Sequence, residues 1–212
     1  MKRIAVFLFF LQFSFFTLRS QTMSEVFQSM PDSILPLLTE RNRHDMVDFL
    51  SNTMEAKVRN RLNDYVKLDT LTDDYLRLTL SKSSMTEIKL LQAKDNSPVV
   101  CLIQTVLTPV PDSSVRFYSA DWQPLAGIEF PKPATPTFFS EVPDSLSREV
   151  GLAQRSIDDL RFVKVTTVPG EAVFTLTLSP AELERDAKEL VSRFIRVLRY
   201  RWNGSRFVSE QS

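Results

Sequence analysis

Four short apolar runs that follow one another closely constrain the fold more than any other feature of the sequence. They span residues 75–80, 86–91, 99–107 and 115–119, with turn-forming residues between them. In the first run Leu76, Leu78 and Leu80 alternate with Arg77 and Thr79. Successive side chains of a strand point to opposite faces, so this period of two predicts strands with one buried face. Short strands joined by short turns predict a four-stranded antiparallel sheet between residues 73 and 122.

The second half of the chain repeats this order of elements. The tripeptide Pro-Asp-Ser occurs at 31–33 and 143–145, and an Asp-Asp pair occurs at 73–74 and 158–159, each ahead of an apolar run. Repetition of element order at this scale is typical of a duplicated supersecondary unit. The sequence therefore predicts an α+β fold, a tandem repeat of a helical segment followed by a four-stranded antiparallel sheet.

Local signals place the elements of the second half. Residues 160–168 and 173–178 are predicted strands, and Ser179-Pro180 with Glu182 has the pattern of a capping box that begins a helix. Residues 191–202 are rich in β-branched and aromatic side chains and predict a long strand. Asn203-Gly204 then predicts a two-residue hairpin turn with positive φ at both positions.

Helices are predicted at the start of the first half. Pro31-Asp32-Ser33 opens a helical segment over residues 30–54, and Thr39 is the expected N-cap of its second part. Two interpretations remain open for residues 63–68, which form either an extra edge strand or the lead-in to the sheet.

The N-terminus has the pattern of a secretory signal peptide. A basic start at Lys2-Arg3 precedes a nearly apolar run over residues 4–18, and Ser20 is a candidate last residue of the signal. The alternative is an uncleaved membrane anchor. We expect residues 1–20 to be removed, a periplasmic or secreted location, and no membrane association afterwards.

The remaining chain divides into three parts. Residues 21–123 form the first helix-plus-sheet half, residues 124–142 a proline-rich linker, and residues 143–212 the second half. Prolines at 124, 131, 133, 136 and 143 exclude regular structure from the linker. Its apolar residues Ile128, Phe130, Phe138 and Phe139 indicate that it packs against the fold.

Composition excludes several function classes. The 26 basic and 26 acidic residues leave no basic excess for nucleic acid. Cys101, the only cysteine, lies in an apolar run and is predicted to be buried. His44, the only histidine, is predicted to be solvated, since Asp45 beside it points elsewhere on a helix. With four scattered glycines and so few nitrogen or sulfur ligands, we expect no metal, no cofactor and no catalytic residue.

The Asp-Asp pairs allow two interpretations. Asp73-Asp74 and Asp158-Asp159 have the side chains for acid–base chemistry or for binding a hard cation. Adjacent residues entering a strand point to opposite faces, however. We therefore predict that both pairs form turns at strand starts.

Arginine and aromatic side chains alternate near the end of the chain. A basic stripe includes Arg193, Arg196, Arg199, Arg201 and Arg206. Such residues are favoured at protein interfaces, although arginine stems also cover solvated sheet faces. Since an antiparallel sheet can keep one face open, we predict an interaction surface there. Its candidate residues are Tyr118, Trp122, Arg196, Arg199, Tyr200 and Trp202.

Four stretches of the chain resemble a known family. They are Phe27 with Met30-Pro31-Asp32-Ser33, the run T-E-I-K-L-L at 86–91, Pro111-Asp112-Ser113 with Phe117-Tyr118 and Trp122, and F-I-R at 194–196 with R-W-N-G at 201–204. These resemble an uncharacterised family of exported Bacteroidales proteins, family 3256 of the domains of unknown function. The resemblance carries no established activity.

The predicted layout is also similar to that of β-lactamase inhibitory protein, which binds enzymes through a concave sheet. The two disulfides of that inhibitor are impossible here with one cysteine, and a shared fold does not imply a shared function. Two function classes follow. The first is an exported, non-enzymatic interaction module whose partner is an exported or envelope protein. The second is a small-ligand-binding or hydrolytic periplasmic protein. The oligomeric state stays open.

Overall fold

The computed structural model describes residues 21–181 and 183–210. Within them the chain forms four α-helices and two antiparallel sheets, so the predicted α+β class is confirmed. The predicted signal peptide over residues 1–20 lies outside the described residues, as does Glu182. None of the described helices is long and apolar enough to cross a membrane.

The first half places two helices ahead of six strands. They are α1 (Met23–Gln28), α2 (Glu40–Ser51), β1 (Lys57–Arg59), β2 (Tyr65–Leu71), β3 (Tyr75–Ser81), β4 (Ser84–Gln92), β5 (Pro98–Val106) and β6 (Asp112–Ser119). The strands form one sheet in the order β1-β2-β3-β4-β5-β6. The four predicted strands are β3 to β6. Residues 65–68 lie in β2, an additional strand that pairs with both β1 and β3 and is therefore not at the edge of the sheet. The first sheet thus has six strands rather than four. The additional β1 carries a single buried side chain, Val58, which is too short a pattern to recognise.

Helix α1 lies earlier than predicted, whereas α2 begins where predicted. Thr22 caps α1, and its hydroxyl accepts the N–H of Glu25. Thr39 caps α2. The Pro-Asp-Ser motif between the two helices forms turns, because the Asp32 carboxylate accepts a hydrogen bond from buried Arg43 at 2.9 Å instead of capping a helix.

Both faces of the central first-sheet strands are covered. On β5, Val100 and Leu102 face α1 and α2 and belong to one apolar cluster. Val99, Cys101 and Ile103 point the other way and pack against the second half of the chain. The halves therefore share a core, and fully burying side chains of this size contributes about 1.5–3 kcal/mol each.

The second half contains two helices and four strands. After 3-10 turns at Thr135–Phe138 and Asp144–Leu146 come α3 (Ser147–Asp159), β7 (Phe162–Thr167), β8 (Val173–Ser179), α4 (Arg185–Ser192), β9 (Leu198–Trp202) and β10 (Phe207–Ser209). Their sheet has the order β10-β9-β8-β7 and the predicted four strands. As predicted, the linker packs against the fold, since Phe138 and Phe139 are buried in the shared core.

The long strand predicted over residues 191–202 is wrong in its first half. Val191 belongs to α4 and is fully buried. The chain then pairs with the linker: the N–H of Arg196 donates to the Phe138 carbonyl at 2.7 Å, and the N–H of Ser140 donates to the Phe194 carbonyl at 2.8 Å. Backbone groups satisfied in this way do not continue β9, which begins only at Leu198.

Two other local predictions are also wrong. Ser179 ends β8 because it pairs with Phe162, so α4 starts at Arg185 rather than at Ser179-Pro180. Asp158-Asp159 ends α3 instead of opening a strand. The apolar spacing that includes Ile157 continues the helix to this point, and the Asp158 carboxylate accepts the hydroxyl of Thr135.

The Asn203-Gly204 hairpin is present with a longer loop than predicted. Trp202 pairs with Phe207, so four residues form the loop. Gly204 has a φ of 92°, while Asn203 keeps a negative φ. The Asn203 side-chain oxygen accepts the N–H groups of Ser205 and Arg206, the last two residues of the loop, and these bonds stabilise the wider turn.

The second sheet meets the first along the free edge of β7. Two of its outward N–H groups donate to side-chain acceptors on β6. Val163 donates to Asp112 Oδ1 at 3.0 Å, and Val165 donates to Ser113 Oγ at 2.9 Å. An edge strand that would otherwise offer unpaired groups is thereby closed by side chains rather than by another strand.

Candidate functional site

Three of the six residues predicted to form an interaction surface are buried. Trp122 is 4% exposed, and Tyr118 and Trp202 are each 6% exposed. The indole N–H of Trp122 donates to the Val26 carbonyl at 2.9 Å, and that of Trp202 to the Gln92 carbonyl at 2.8 Å. A large aromatic side chain with a satisfied polar group is well suited to a core. Trp122 and Trp202 are therefore core residues rather than parts of an exposed surface, whereas Tyr118, although largely buried, lines an open groove beside β6.

The other three predicted residues lie in separate places. Arg196 is exposed between α4 and β9, and its Nε donates to the Thr137 carbonyl at 3.0 Å. Arg199 is exposed on the outer face of the second sheet, which is the open face in this part of the fold. Its Nε lies 3.4 Å from Glu210 Oε2, while Arg201 contacts the other oxygen of Glu210 at 2.6 Å. The acid thus offsets charge on this face.

Tyr200 points to the opposite face of the second sheet and lines an open groove. The groove has a volume of about 830 Å³ and lies between β6, the linker and the β9–β10 hairpin. Aromatic rings form much of its wall. The ring centroid of Phe207 lies 5.8 Å from that of Phe117 and 5.1 Å from that of Phe130. Burial raises the pKa of the Tyr200 hydroxyl above its ordinary value of 10.0. Grooves of this volume bind peptides or small molecules.

The groove exposes part of the edge of β6. The N–H of Leu125 donates to the Phe117 carbonyl, and the N–H of Ser119 donates to the Gln123 carbonyl, so Phe117 and Ser119 face away from β5. Alternate residues of an antiparallel strand face the same way, and Val115 is the next in this series. Apart from bonds within the helices and strands themselves, no backbone hydrogen bond in the described part of the chain involves the N–H or C=O of Val115.

A second opening reaches the same strand edge. It has a volume of about 330 Å³, and Val115 lines it as well as the larger groove. Linker residues Phe130, Pro131 and Lys132 separate the two openings. The edge of β6 is therefore accessible from both sides of this linker segment.

The charged residues of the groove are unbalanced. Arg116, Lys132 and Arg206 line it together with a single acid, Glu129. All four side chains are exposed. None of them makes an ion pair with another residue in the described part of the chain. The groove thus combines aromatic walls, the outer edge of β6 at Val115 and a basic rim.

A buried polar cluster lies elsewhere, where the two halves meet. The Tyr75 hydroxyl donates to Glu87 Oε1 at 2.7 Å, and Glu87 is 3% exposed. Burial raises the pKa of Glu87, although the Tyr75 hydroxyl and the Thr167 N–H oppose the rise. Burial and the adjacent carboxyl raise the pKa of Tyr75 in turn. The pair is enclosed by protein and lines none of the openings described above.

Asp74 also lies where the two halves meet, and the prediction that Asp73-Asp74 only forms a turn did not include this contact. Its carboxylate accepts hydrogen bonds from Lys89 at 2.5 Å and from the Gly170 N–H at 3.0 Å. Burial opposes ionisation, but the two donors, the charge of Lys89 and the Thr72 hydroxyl together lower the pKa of Asp74. Asp73 beside it is exposed. The sequence holds no local signal for this contact, because Gly170 lies 96 residues away.

The remaining candidates for chemistry are separate from one another. His44 is exposed on α2, and Cys101 is buried, as predicted for both. Burial, with a smaller effect of the Glu87 charge, raises the pKa of the Cys101 thiol. Among the described residues, no group of three or more His, Cys, Asp or Glu side chains is arranged to hold a metal ion.

Comparisons with known proteins identify relatives without assigning an activity. A family model described as "Protein of unknown function (DUF3256)" matches residues 15–207. A solved structure, described as a domain of an uncharacterized protein from Porphyromonas gingivalis W83, is similar with a TM-score of 0.73 and 25% sequence identity. That similarity covers 89% of this chain and 98% of the other. No curated protein matches the sequence.

Proposed function

The chain belongs to the DUF3256 family, a family of proteins of unknown function, and from this premise we propose that it is a protein-interaction module. It binds an extended segment of a partner polypeptide in the groove beside β6. The segment pairs with the exposed edge of that strand and places its apolar side chains against the aromatic walls. This mode of recognition adds a strand to an existing sheet.

One observation carries the proposal. By the alternation of β6, the N–H and C=O of Val115 point away from β5, and Val115 lines an open groove with aromatic walls. An outward residue of an antiparallel edge presents its donor and acceptor side by side, which matches one residue of an added strand. Each hydrogen bond of this kind contributes about 0.5–1.5 kcal/mol.

Side-chain burial supplies most of the expected affinity. Phe117, Phe130, Tyr200 and Phe207 line the groove, and aromatic residues are favoured at interfaces because they bury a large area with few rotatable bonds. Side chains of an extended segment alternate, so every second one would face this wall. The backbone contacts then set the register of the bound segment.

The location and the partner are part of the same proposal. An N-terminal stretch with a signal-peptide pattern supports export to the periplasm or the exterior, where the partner would be another exported or envelope protein. The groove requires only a flexible terminus or loop of that partner. We propose no catalytic step, because the groove lining includes no nucleophile–base pair.

A defined peptide tests the proposal. The probe is a seven-residue peptide with blocked ends, valine at positions 2 and 6, phenylalanine at position 4, and one polar residue type at the other positions. The polar residue is threonine, glutamate or lysine. We expect at least one of these peptides to bind the purified protein with a dissociation constant below about 1 mM, measured by calorimetry.

Backbone pairing is tested by two matched changes. Val115→Pro removes only a backbone N–H that faces away from β5, a position at which an edge strand accepts proline. Val115→Ala keeps the N–H and shortens the side chain. We expect the proline variant to lose at least about fivefold in affinity relative to the alanine variant. Circular dichroism should show that both variants remain folded.

N-methylation of alternate peptide nitrogens provides the complementary test, since it removes peptide donors without touching the protein. Methylation at one of the two alternating sets should abolish binding. The proposal is overturned if none of the three peptides binds. It is also overturned if binding survives both the proline substitution and methylation of either set.

The second function class has a distinct signature in the same experiments. The groove volume lies within the range of small-molecule sites. A small ligand held by the aromatic walls would depend on Phe130 and Phe207 but not on the Val115 N–H. Competition of a bound peptide by small aromatic acids that is insensitive to Val115→Pro would favour that class.

A further inference from the structure

We propose that the groove beside β6 selects extended segments with acidic side chains. This inference rests on the proposed function and names the chemistry of the partner. The apolar side chains of the bound segment face the aromatic walls, and the alternate side chains, carboxylates, reach the basic rim. The partner is thus an exported polypeptide with a flexible segment in which acidic and apolar residues alternate.

The rim charges are available to a ligand. Arg116, Lys132 and Arg206 are exposed, and none makes an ion pair within the described part of the chain. The three residues lie on three different segments, namely β6, the linker and the β9–β10 loop. Three separate segments thus each bring one basic residue to the same groove.

Three other arginines on the two sheets differ in this respect. Arg199 and Arg201 share Glu210 on the open face of the second sheet, and Arg77 lies 3.8 Å from Asp69 on the first sheet. Intramolecular acids thus offset these charges. The groove has Glu129 as its single acid, and that residue pairs with none of the three rim residues.

Strand geometry accounts for the alternation. The side chains of an extended segment point alternately to its two sides. When one set contacts Phe117, Phe130 and Phe207, the other set projects towards the solvent and the charged rim. Carboxylates in the outer set gain favourable electrostatic interactions with the rim, whereas lysines there are repelled.

Basic residues at a strand edge have a second known role. Natural edge strands carry lysine or arginine to discourage pairing with other chains. If Arg116 and Lys132 serve only that purpose, every peptide binds weakly and the charge of its outer residues has little effect. The comparison of peptide charges distinguishes these two roles.

The experiment compares the glutamate, threonine and lysine versions of the seven-residue peptide. At low ionic strength we expect the glutamate peptide to bind about fivefold more tightly than the threonine peptide, and the lysine peptide to bind more weakly than both. Exposed ion pairs are screened by salt. The preference for glutamate should therefore shrink to less than about twofold at 0.5 M NaCl.

Variants assign the preference to the rim. The triple variant Arg116→Gln, Lys132→Gln and Arg206→Gln should bind the glutamate and threonine peptides equally well. Glu129→Gln should strengthen binding of the glutamate peptide. Arg155→Gln is the control, because Arg155 is exposed on α3 and does not line the groove; it should leave the preference unchanged.

The outcomes separate this inference from the proposed function. If the threonine and glutamate peptides bind equally well and Val115→Pro weakens both, the interaction module stands and the acidic preference is wrong. A glutamate preference that persists in the triple variant also contradicts the inference. If no peptide binds, the proposed function itself fails.

Discussion

Lys89 of the first sheet and Val168 of the second half are joined by a hydrogen bond from the ammonium group to the Val168 carbonyl, at 2.7 Å. The same ammonium group donates to Asp74 at 2.5 Å. Lys89 is 1% exposed, whereas the Asp74 side chain is 33% exposed. One buried charge therefore links the two halves, and its acid partner remains in contact with solvent.

This asymmetry predicts unequal costs for removing the two partners. Asp74→Ala leaves a buried ammonium group without its counter-charge and should cost about 3 kcal/mol of the free energy of unfolding. Lys89→Met leaves a carboxylate that water can reach and should cost about 1 kcal/mol. Urea unfolding measures both. Asp73→Ala, at the exposed neighbouring position, is the control and should change the free energy of unfolding by less than about 0.5 kcal/mol. Equal losses for Asp74→Ala and Lys89→Met would contradict the expected difference between the buried and the exposed partner.

The buried carboxyl of Glu87 predicts a pH dependence. Because its pKa is raised from the ordinary value of 4.5, the folded state keeps the proton to a higher pH than the unfolded state. Its contribution to stability is complete below pH 4.5 and is lost as pH rises through the folded pKa. Glu87→Gln has no proton to lose, so the stability of this variant relative to wild type should increase over that window. Denaturant unfolding at several pH values tests this, and a difference that decreases with pH would contradict it.

Tyr75→Phe provides the matching test of the same carboxyl. The Tyr75 hydroxyl lowers the pKa of Glu87 against the larger effect of burial. Its removal should move the pH window of Glu87 upward. If the unfolding free energy of Tyr75→Phe has the same pH profile as that of wild type, the hydrogen bond between the two groups does not control the titration.

Two glycines with positive φ should differ in their tolerance of alanine. Gly204 has a φ of 92° and Gly170 a φ of 77°, so both alanine variants should lose about 1–2 kcal/mol from backbone strain. A Cβ at Gly204 would lie 3.1 Å from Lys94 Cγ and 3.3 Å from the Lys94 backbone nitrogen, whereas a Cβ at Gly170 meets nothing within 4 Å. Thermal unfolding should rank Gly204→Ala below Gly170→Ala. The same Tm for both variants would show that the contact with Lys94 relaxes without cost.

The helical glycine should behave in the opposite way. Gly151 lies within α3, and a Cβ there meets nothing within 4 Å. Alanine loses less conformational freedom on folding than glycine, so Gly151→Ala should stabilise the protein by about 0.5–1 kcal/mol. A lower Tm for this variant would contradict the expectation.

The buried thiol of Cys101 predicts a reagent-based measure of unfolding. Because Cys101 is fully buried and burial raises the pKa of its thiol, an aromatic disulfide reagent should label it only when the shared core opens. Labelling should be slow in native buffer and complete in denaturant. Rapid labelling in native buffer would show that this part of the core opens locally. Cys101→Ser should destabilise the protein by about 1–3 kcal/mol, because the substitution buries a hydroxyl.

The alternation of apolar and polar residues identified the strands in which one face is buried along the whole length. The alternation at Leu76, Leu78 and Leu80 was enough to predict β3 and its buried face. The threonine cap of α2 at Thr39 was equally local, since its hydroxyl accepts the N–H of Asn42 three residues ahead. Signals of this kind depend on neighbours within one turn or one strand, so the sequence alone contains them.

Competition between distant segments decided the elements that were predicted wrongly. Residues 194–196 have strand-like composition, but their backbone groups pair with the linker at Phe138 and Ser140. Trp122 and Trp202 are residue types that are common at docking surfaces, yet the indole N–H of each donates to a backbone carbonyl in the core. No local pattern reports which of two possible partners a segment takes.

By itself, the sequence determined the α+β class, the strands of the two sheets that alternate clearly, the burial of Cys101 and the family to which the chain belongs. Only the tertiary structure decided what covers each face. It placed Asp112 and Ser113 against the edge of β7, left the outer edge of β6 open at Val115, and brought three basic residues from separate segments to one groove. The physical reason is that hydrophobic periodicity shows which face is buried, whereas a binding site depends on which segments approach that face and which edge they leave open.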